Sequence, residues 1–169
     1  MAAGATYEPI ATTTLGSAAS SIIFSSIPST YTDLRLVLVA GGTPSASGAC
    51  EIRFNSDTAT NYSQTYITGT GSAASSSRFT SRSFIFLAVY DVLYTTPQLL
   101  TADIFGYAGS TYKTCLTTQN ADLNGSGDVS ATVGLWRSTA AINRIDLITD
   151  AGVSFTTGTT ATLYGIKAA

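Results

Sequence analysis

The chain closes on Ser154-Phe155-Thr156-Thr157-Gly158-Thr159-Thr160-Ala161-Thr162-Leu163-Tyr164-Gly165-Ile166-Lys167, a Gly-broken, Thr-rich turn running into a strand-type segment. Thr, Leu, Tyr and Ile in that order suit a pleated, half-buried surface. The same pattern recurs along the whole chain. Short apolar or alternating blocks are punctuated by Gly, Ser, Thr and Pro clusters. A chain written this way is restricted to β architectures.

Strands are expected over residues 7–15, 21–27, 34–40, 51–55, 64–68, 83–90, 99–107, 112–118, 129–136, 143–149 and 161–167. In Glu51-Ile52-Arg53-Phe54-Asn55 the alternation turns Ile52 and Phe54 inward. Two other runs are apolar on both faces. Phe84, Phe86 and Ala88 share one side, and Ile85, Leu87 and Val89 the other; Leu34 to Val39 is similar after Arg35. Such strands need cover twice, and a neighbouring subunit is one candidate for the second cover. Helical signal is confined to Ser138-Thr139-Ala140-Ala141, a single turn with Ser138 as its cap, and to a start at Pro97-Gln98-Leu99-Leu100. The expected fold is one all-β domain over residues 1–169, an antiparallel β-sandwich with jelly-roll-like connections and little helix. Residues 1–6 form an extended N-terminal arm in this reading.

Two segments, residues 41–48 and 69–77, are too rich in Gly and Ser to pack a core. They read as loops that order against a partner. With the arm, they supply the expected partner-binding residues: Ala2, Ala3, Gly4, Ala5, Thr6, Tyr7, Gly41, Gly42, Pro44, Gly69 and Gly71.

Charge narrows the choice of partners. Only 11% of residues are charged, against about a quarter in ordinary soluble domains, so the surface must be largely hydroxyl and amide. The net charge is -2 and no basic stripe exists, which argues against nucleic acid. No apolar run approaches a membrane span, and the first residues lack the pattern of a secretory signal. Cys50 and Cys115 lie at the edges of apolar runs and are expected as reduced thiols. A disulfide would need their Cα atoms about 5.5 Å apart.

Catalytic patterns are missing. The chain has no His, which removes the Ser-His-Asp triad and the commonest general base. There is no GxSxG elbow and no phosphate-cradling Gly loop. The carboxylates read as turn residues or as partners for arginine, so no enzymatic activity is expected. No cofactor is expected either. One metal candidate exists: Asp122, Asn124, Ser126 and Asp128 alternate as oxygen ligands do at the start of a calcium loop. The twelfth position, however, is Val133 where a bidentate Glu belongs, so a tight hairpin turn is the preferred reading. Tyr62, Tyr66 and Phe79 could stack on sugars, but ordinary core packing accounts for them better. Trp136 reads as a strand-end anchor.

Four segments together resemble a known group. They are Tyr7 to Leu34, with Tyr7-Glu8-Pro9-Ile10-Ala11 and Ile22-Ile23-Phe24-Ser25-Ser26-Ile27-Pro28; Phe54-Asn55-Ser56-Asp57 with Asn61-Tyr62-Ser63; Gly134-Leu135-Trp136 with Ser138-Thr139-Ala140-Ala141-Ile142; and Ala161 to Lys167. In this order they are similar to virion structural proteins of tailed bacteriophages, particularly those of cyanobacteria and other aquatic hosts. The resemblance implies a β-rich particle component without catalytic residues, made in the host cytoplasm and located on the virion. A capsid decoration or cement protein is the preferred role. It would bind the major capsid protein and itself as a homo-oligomer, with a trimer expected from three-fold capsid positions. A tail, baseplate or fibre component is the alternative. A carbohydrate-binding β-sandwich acting through Tyr62, Tyr66 or Trp136 is a further one.

Overall fold

The computed structural model describes residues 6–43, 48–89, 94–150 and 152–167. Strands β1 (Tyr7–Thr14), β12 (Thr160–Ile166), β3 (Asp33–Ala40), β8 (Gln98–Phe105), β9 (Lys113–Asp122), β10 (Gly127–Trp136), β5 (Tyr62–Gly69) and β6 (Ala74–Arg82) form, in that order, an eight-stranded sheet. Strands β2 (Ser21–Phe24), β11 (Ile145–Thr149), β4 (Cys50–Phe54) and β7 (Ile85–Ala88) form a four-stranded one. All neighbours are antiparallel.

The chain winds between the layers. It visits the small sheet at β2, β4, β7 and β11, and the large one at β3, at β5–β6 and at β8–β9–β10. This is the winding of a jelly roll in which one strand has grown into the β8–β9–β10 meander, with the β1–β12 pair added beside β3. The β-sandwich expectation is met. Among the described residues none is helical: Gln98 to Leu100 belong to β8, and 138–141 is irregular. Strand β6 takes up residues 74–77, the second part of the segment 69–77 expected as a loop.

Alternation explains the main core. Leu34, Leu36 and Leu38 of β3 are fully buried, as are Ile52 and Phe54 of β4 and Leu163 of β12. The rings of Phe54, Tyr62 and Trp136 close one end, with Tyr62 stacked 6.2 Å from Trp136. Their polar atoms are satisfied. The Tyr62 hydroxyl accepts from the Phe54 N–H at 3.1 Å, and Trp136 Nε1 donates to Asp57 Oδ2 at 2.7 Å. Lys113, the first residue of β9, is also wholly buried. Its ammonium donates to the carbonyls of Gly109 and Thr111, and burial pulls its pKa below the usual lysine range.

The closing strand is held by a small interlock. Gly165 faces the Tyr31 ring so closely that a Cβ would lie 2.3 Å from it. The Tyr31 hydroxyl donates to Glu8, which also receives Lys167 Nζ at 2.6 Å. Residues 8, 31 and 167 thereby tie β1 to the end of β12.

Strand β7 is buried on both faces, and the second cover is this chain's own large sheet, not a neighbouring subunit. β7 pairs with β4 on one edge only. Its other edge meets side chains: Gln64 Oε1 accepts the Phe86 N–H at 2.7 Å, Thr117 Oγ1 donates to the Phe86 carbonyl at 2.8 Å, and Gln119 Oε1 accepts the Val89 N–H at 3.2 Å. Ile85 sits on Gly134, where a Cβ would come within 2.6 Å of it.

A buried N–H stripped of its acceptor carries its full desolvation cost. Gln64→Leu is therefore expected to lower unfolding stability by about 2 kcal/mol. Asn120→Ser, on the exposed side of β9, should stay within about 0.5 kcal/mol of the parent. Urea titration of both variants checks this; equal midpoints would mean that the side-chain bonds to β7 contribute nothing.

Candidate interaction surface

The outer face of the large sheet carries apolar side chains that the chain itself leaves uncovered. Ile67 is 61% exposed, Val129 60%, Val133 48%, Val39 44%, Leu99 40% and Leu116 39%. Strand register groups them. Val39 stands opposite Leu99, Leu116 opposite Val133, and Ile67 opposite Ala131, which lies between Val129 and Val133 on β10. Hydroxyl pairs fill the rows between: Thr101 with Thr118 at 2.7 Å, Thr12 with Thr162 and Thr14 with Thr160 at 3.1 Å. The Arg35–Asp103 ion pair, at 3.2 Å, lies on the same face. The second face of β3 is thus partly open, with Val37 half-buried and Val39 exposed.

The outer face of the small sheet is different. Arg144 pairs with Asp146 at 2.6 Å and Arg53 with Glu51 at 2.8 Å. Arg53, Arg144 and Asp146 line a shallow hollow with Ser20, Ser21 and Ser56. Glu51 is only 4% exposed, opposite Phe86, and Asp150 is nearby. Burial pushes its carboxyl up to about 7 and Asp150 adds to the rise, although Arg53 opposes it.

The residues expected to bind partners are scattered. Ala2 to Ala5 and Pro44 lie outside the described residues. The Thr6 carbonyl accepts the Lys167 N–H at 3.0 Å, and Tyr7 is half exposed at the start of β1 with its ring edge-on to Tyr164. Gly41 and Gly42 are not contact loops: both are buried. Gly42 donates to the Tyr94 carbonyl at 2.7 Å, the Gly41 carbonyl accepts from Thr156, and a Cβ on Gly41 would meet the Thr95 carbonyl at 2.9 Å. Close backbone packing explains these glycines. Gly69 ends β5, opposite Ala74 and Val129. Gly71 has φ +83° in the exposed β5–β6 turn, a conformation that suits glycine. Among the described residues of this set, Thr6, Tyr7, Gly69 and Gly71 remain at the surface or its margin, the first two at the start of β1 and the last two at the β5–β6 turn.

The segment from Asp122 to Asp128 is a hairpin turn between β9 and β10. The Leu123 N–H donates to the Ser126 carbonyl, and Asn124 and Gly125 take positive φ. Its two carboxylates serve different purposes. Asp122 accepts the Asn124 N–H at 2.9 Å, whereas Asp128 accepts from the Tyr94 hydroxyl at 2.7 Å and from Gln119 at 3.0 Å. Among the described residues no group of three or more His, Cys, Asp or Glu converges to hold a metal ion. Cys50 and Cys115 are buried free thiols, pushed up in pKa by burial. Tyr62, Tyr66 and Trp136 are at most 2% exposed, so their rings have no face to offer a sugar. No helix among the described residues is long and apolar enough to cross a membrane.

No protein-family model matches the chain, and neither the curated proteins nor the solved structures yield a match.

Glu51 gives stability a defined pH slope. The unfolded carboxyl ionises near 4.5 and the folded one near 7, so between these values the folded state holds the extra proton. Stability should be highest at the acid end of that window, fall as pH rises through it and level off above, with a span of about 3 kcal/mol. Glu51→Gln should flatten this slope. Denaturant midpoints from pH 4.5 to 8 check it, and an unchanged slope in the variant would rule the assignment out.

Proposed function

We propose that this protein is a structural component of a tailed-phage particle, and that it works as a capsid decoration or cement protein. One observation carries the proposal: a rigid sandwich leaves a broad face of Ile67, Val129, Val133, Val39, Leu99 and Leu116, interleaved with threonines, uncovered. Such a face is suited to contact. The resemblance of the four sequence segments to virion proteins points to the shell as the partner.

The mechanism is adhesive. Each subunit presents neutral hydroxyls and apolar side chains to the major capsid protein, and homo-oligomeric copies sum modest contacts into high avidity. Bridging adjacent capsid subunits would resist outward pressure from packaged DNA. Among the described residues the face carries one ion pair, Arg35–Asp103, which leaves shape and apolar burial to set the affinity. The carbohydrate-binding alternative loses its support, because the rings it would use are in the core.

Immunogold labelling of intact particles tests the location. Label over the head is the expected result; label on the tail would replace decoration with the tail reading, and its absence from particles would end both. Contact residues are tested by adding purified variants to particles that lack the protein. Leu99→Lys with Val133→Lys, which are not opposite each other, should cut capsid occupancy about tenfold while leaving the melting temperature close to the parent, since both positions face solvent. Removing residues 1–6 should also lower occupancy. Full occupancy by the lysine variant would exclude the outer face as the contact.

A further inference from the structure

A sandwich of two open sheets has four edge strands, here β1 and β6 on the large sheet and β2 and β7 on the small one. An edge strand is a template for pairing with another chain unless something blunts it. Three of these are blunted. β7 is buried and its free edge is bonded by Gln64, Thr117 and Gln119. β2 is only four residues long. β1 contains Pro9, which lacks an N–H, and has a bulge directly after it.

β6 has no such protection over Ala74 to Phe79. Its pairing with β5 runs without a shift from Gly69 opposite Ala74 to Gln64 opposite Phe79, with no proline. Its irregularity comes later, before Arg82. Ala74 to Arg78 are exposed throughout, so successive side chains face solvent on both sides of the sheet. The four-stranded sheet is too narrow to cover this end of the eight-stranded one.

We propose that β6 is a self-pairing site: two copies of the chain join β6 to β6, antiparallel about a two-fold axis, and merge their large sheets. Directly opposed residues must lie on the same face of the sheet, so the axis passes through a residue and not between two. The central positions are Ser76 and Ser77, small hydroxyl side chains that can bond across the axis. Charge allows either register. With the axis at Ser76, Arg78 faces Ala74; with the axis at Ser77, it faces Ser76. Neither places like charges opposite each other, and a net charge of -2 gives little repulsion between copies.

The neighbouring surface favours a second copy over a foreign strand. Ile67, Ala74, Ser76, Val129 and Ala131 line a groove of about 610 Å³ beside the edge. Ile67 and Val129 are the most exposed large apolar residues among those described. The two-fold brings two such grooves side by side, so each copy adds apolar contact to the backbone ladder. A head-to-tail ring would instead need β6 to meet β1 or β2, both blunted. Strand pairing through β6 therefore gives a dimer and not the expected trimer. This inference is independent of the virion reading.

Sedimentation of the full-length chain over a wide concentration range tests the pairing, with a dimer expected. Ser76→Lys together with Ser77→Lys places lysine at either axis and should weaken dimerisation about tenfold or more. Far-UV circular dichroism should not change, since both side chains are exposed. Under mild oxidation Ser76→Cys or Ser77→Cys should yield a covalent dimer, and Ser29→Cys, in an exposed loop, should not. The native thiols are buried and stay silent. A monomer at every concentration, a β6 that pairs only with a different protein, a trimer, or a dimer indifferent to the lysines and without either cross-link would each overturn the proposal. If the lysine variant misfolds, the cross-link decides.

Discussion

The architecture depends on how the buried strand β7 satisfies its second edge. A strand inside a sandwich with one unpaired edge would leave peptide N–H and C=O groups without water or partner, at roughly 1–3 kcal/mol each. Here the large sheet supplies the missing ladder from side chains. Gln64, Thr117 and Gln119 bond the β7 backbone, and Ser130 in turn donates to Gln119 at 3.1 Å. Thr132 lies in the same buried zone. Gly134 leaves the space into which Ile85 fits. Polar residues point inward on β5, β9 and β10 because a strand edge, and not an apolar face, lies across them.

That requirement has a consequence on the opposite side. Side chains alternate, so inward polar positions on a strand leave the other positions outward. On β10, Ser130, Thr132 and Gly134 face in, and Val129, Ala131, Val133 and Leu135 face out. On β9, Thr117 and Gln119 face in and Leu116 faces out. The apolar outer face on β9 and β10 is thus the reverse of the polar lining under β7. Selection for contact there does not need to build a separate patch, because the strands already carry β-branched residues that hold their extended form.

The same inversion limits what the sequence can tell. Most strands are legible because β-branched and aromatic blocks alternate with turn residues, and the β3 and β12 cores follow from that rule. β10 is legible as a strand, but its pattern alone points Val129 and Val133 toward the core. Only the position of β7, a long-range fact, turns them outward. β6 is hidden for another reason: Ala-Ser-Ser-Ser has neither β propensity nor an apolar face, and it is a strand because β5 pairs with it. Gly41 and Gly42 read as a loose loop because tight backbone packing and surface flexibility use the same residue. Lys113 gives no sign of burial, since its partners are nearby carbonyls and not a carboxylate. The Asp122 turn is legible, and its positive-φ Asn124 and Gly125 are what a tight hairpin selects.

The distribution of charge separates what the two outer faces can do. On the small sheet the arginines are already matched by Glu51 and Asp146, two carboxylates each about 6% exposed as side chains. Such pairs hold local geometry and have little field left for a distant partner. On the large sheet the face offers threonine hydroxyls bonded to one another, so they can meet a partner without leaving a bare polar group behind. Apolar side chains between them contribute burial in proportion to area, about 25 cal/mol per Å². Association through such a face depends on fit and on repetition. Electrostatic steering has little part in it, because steering needs an unbalanced field that this surface lacks. In the proposed role such a subunit would bind weakly alone and firmly in an array, and pairing through β6 would supply the first step of repetition.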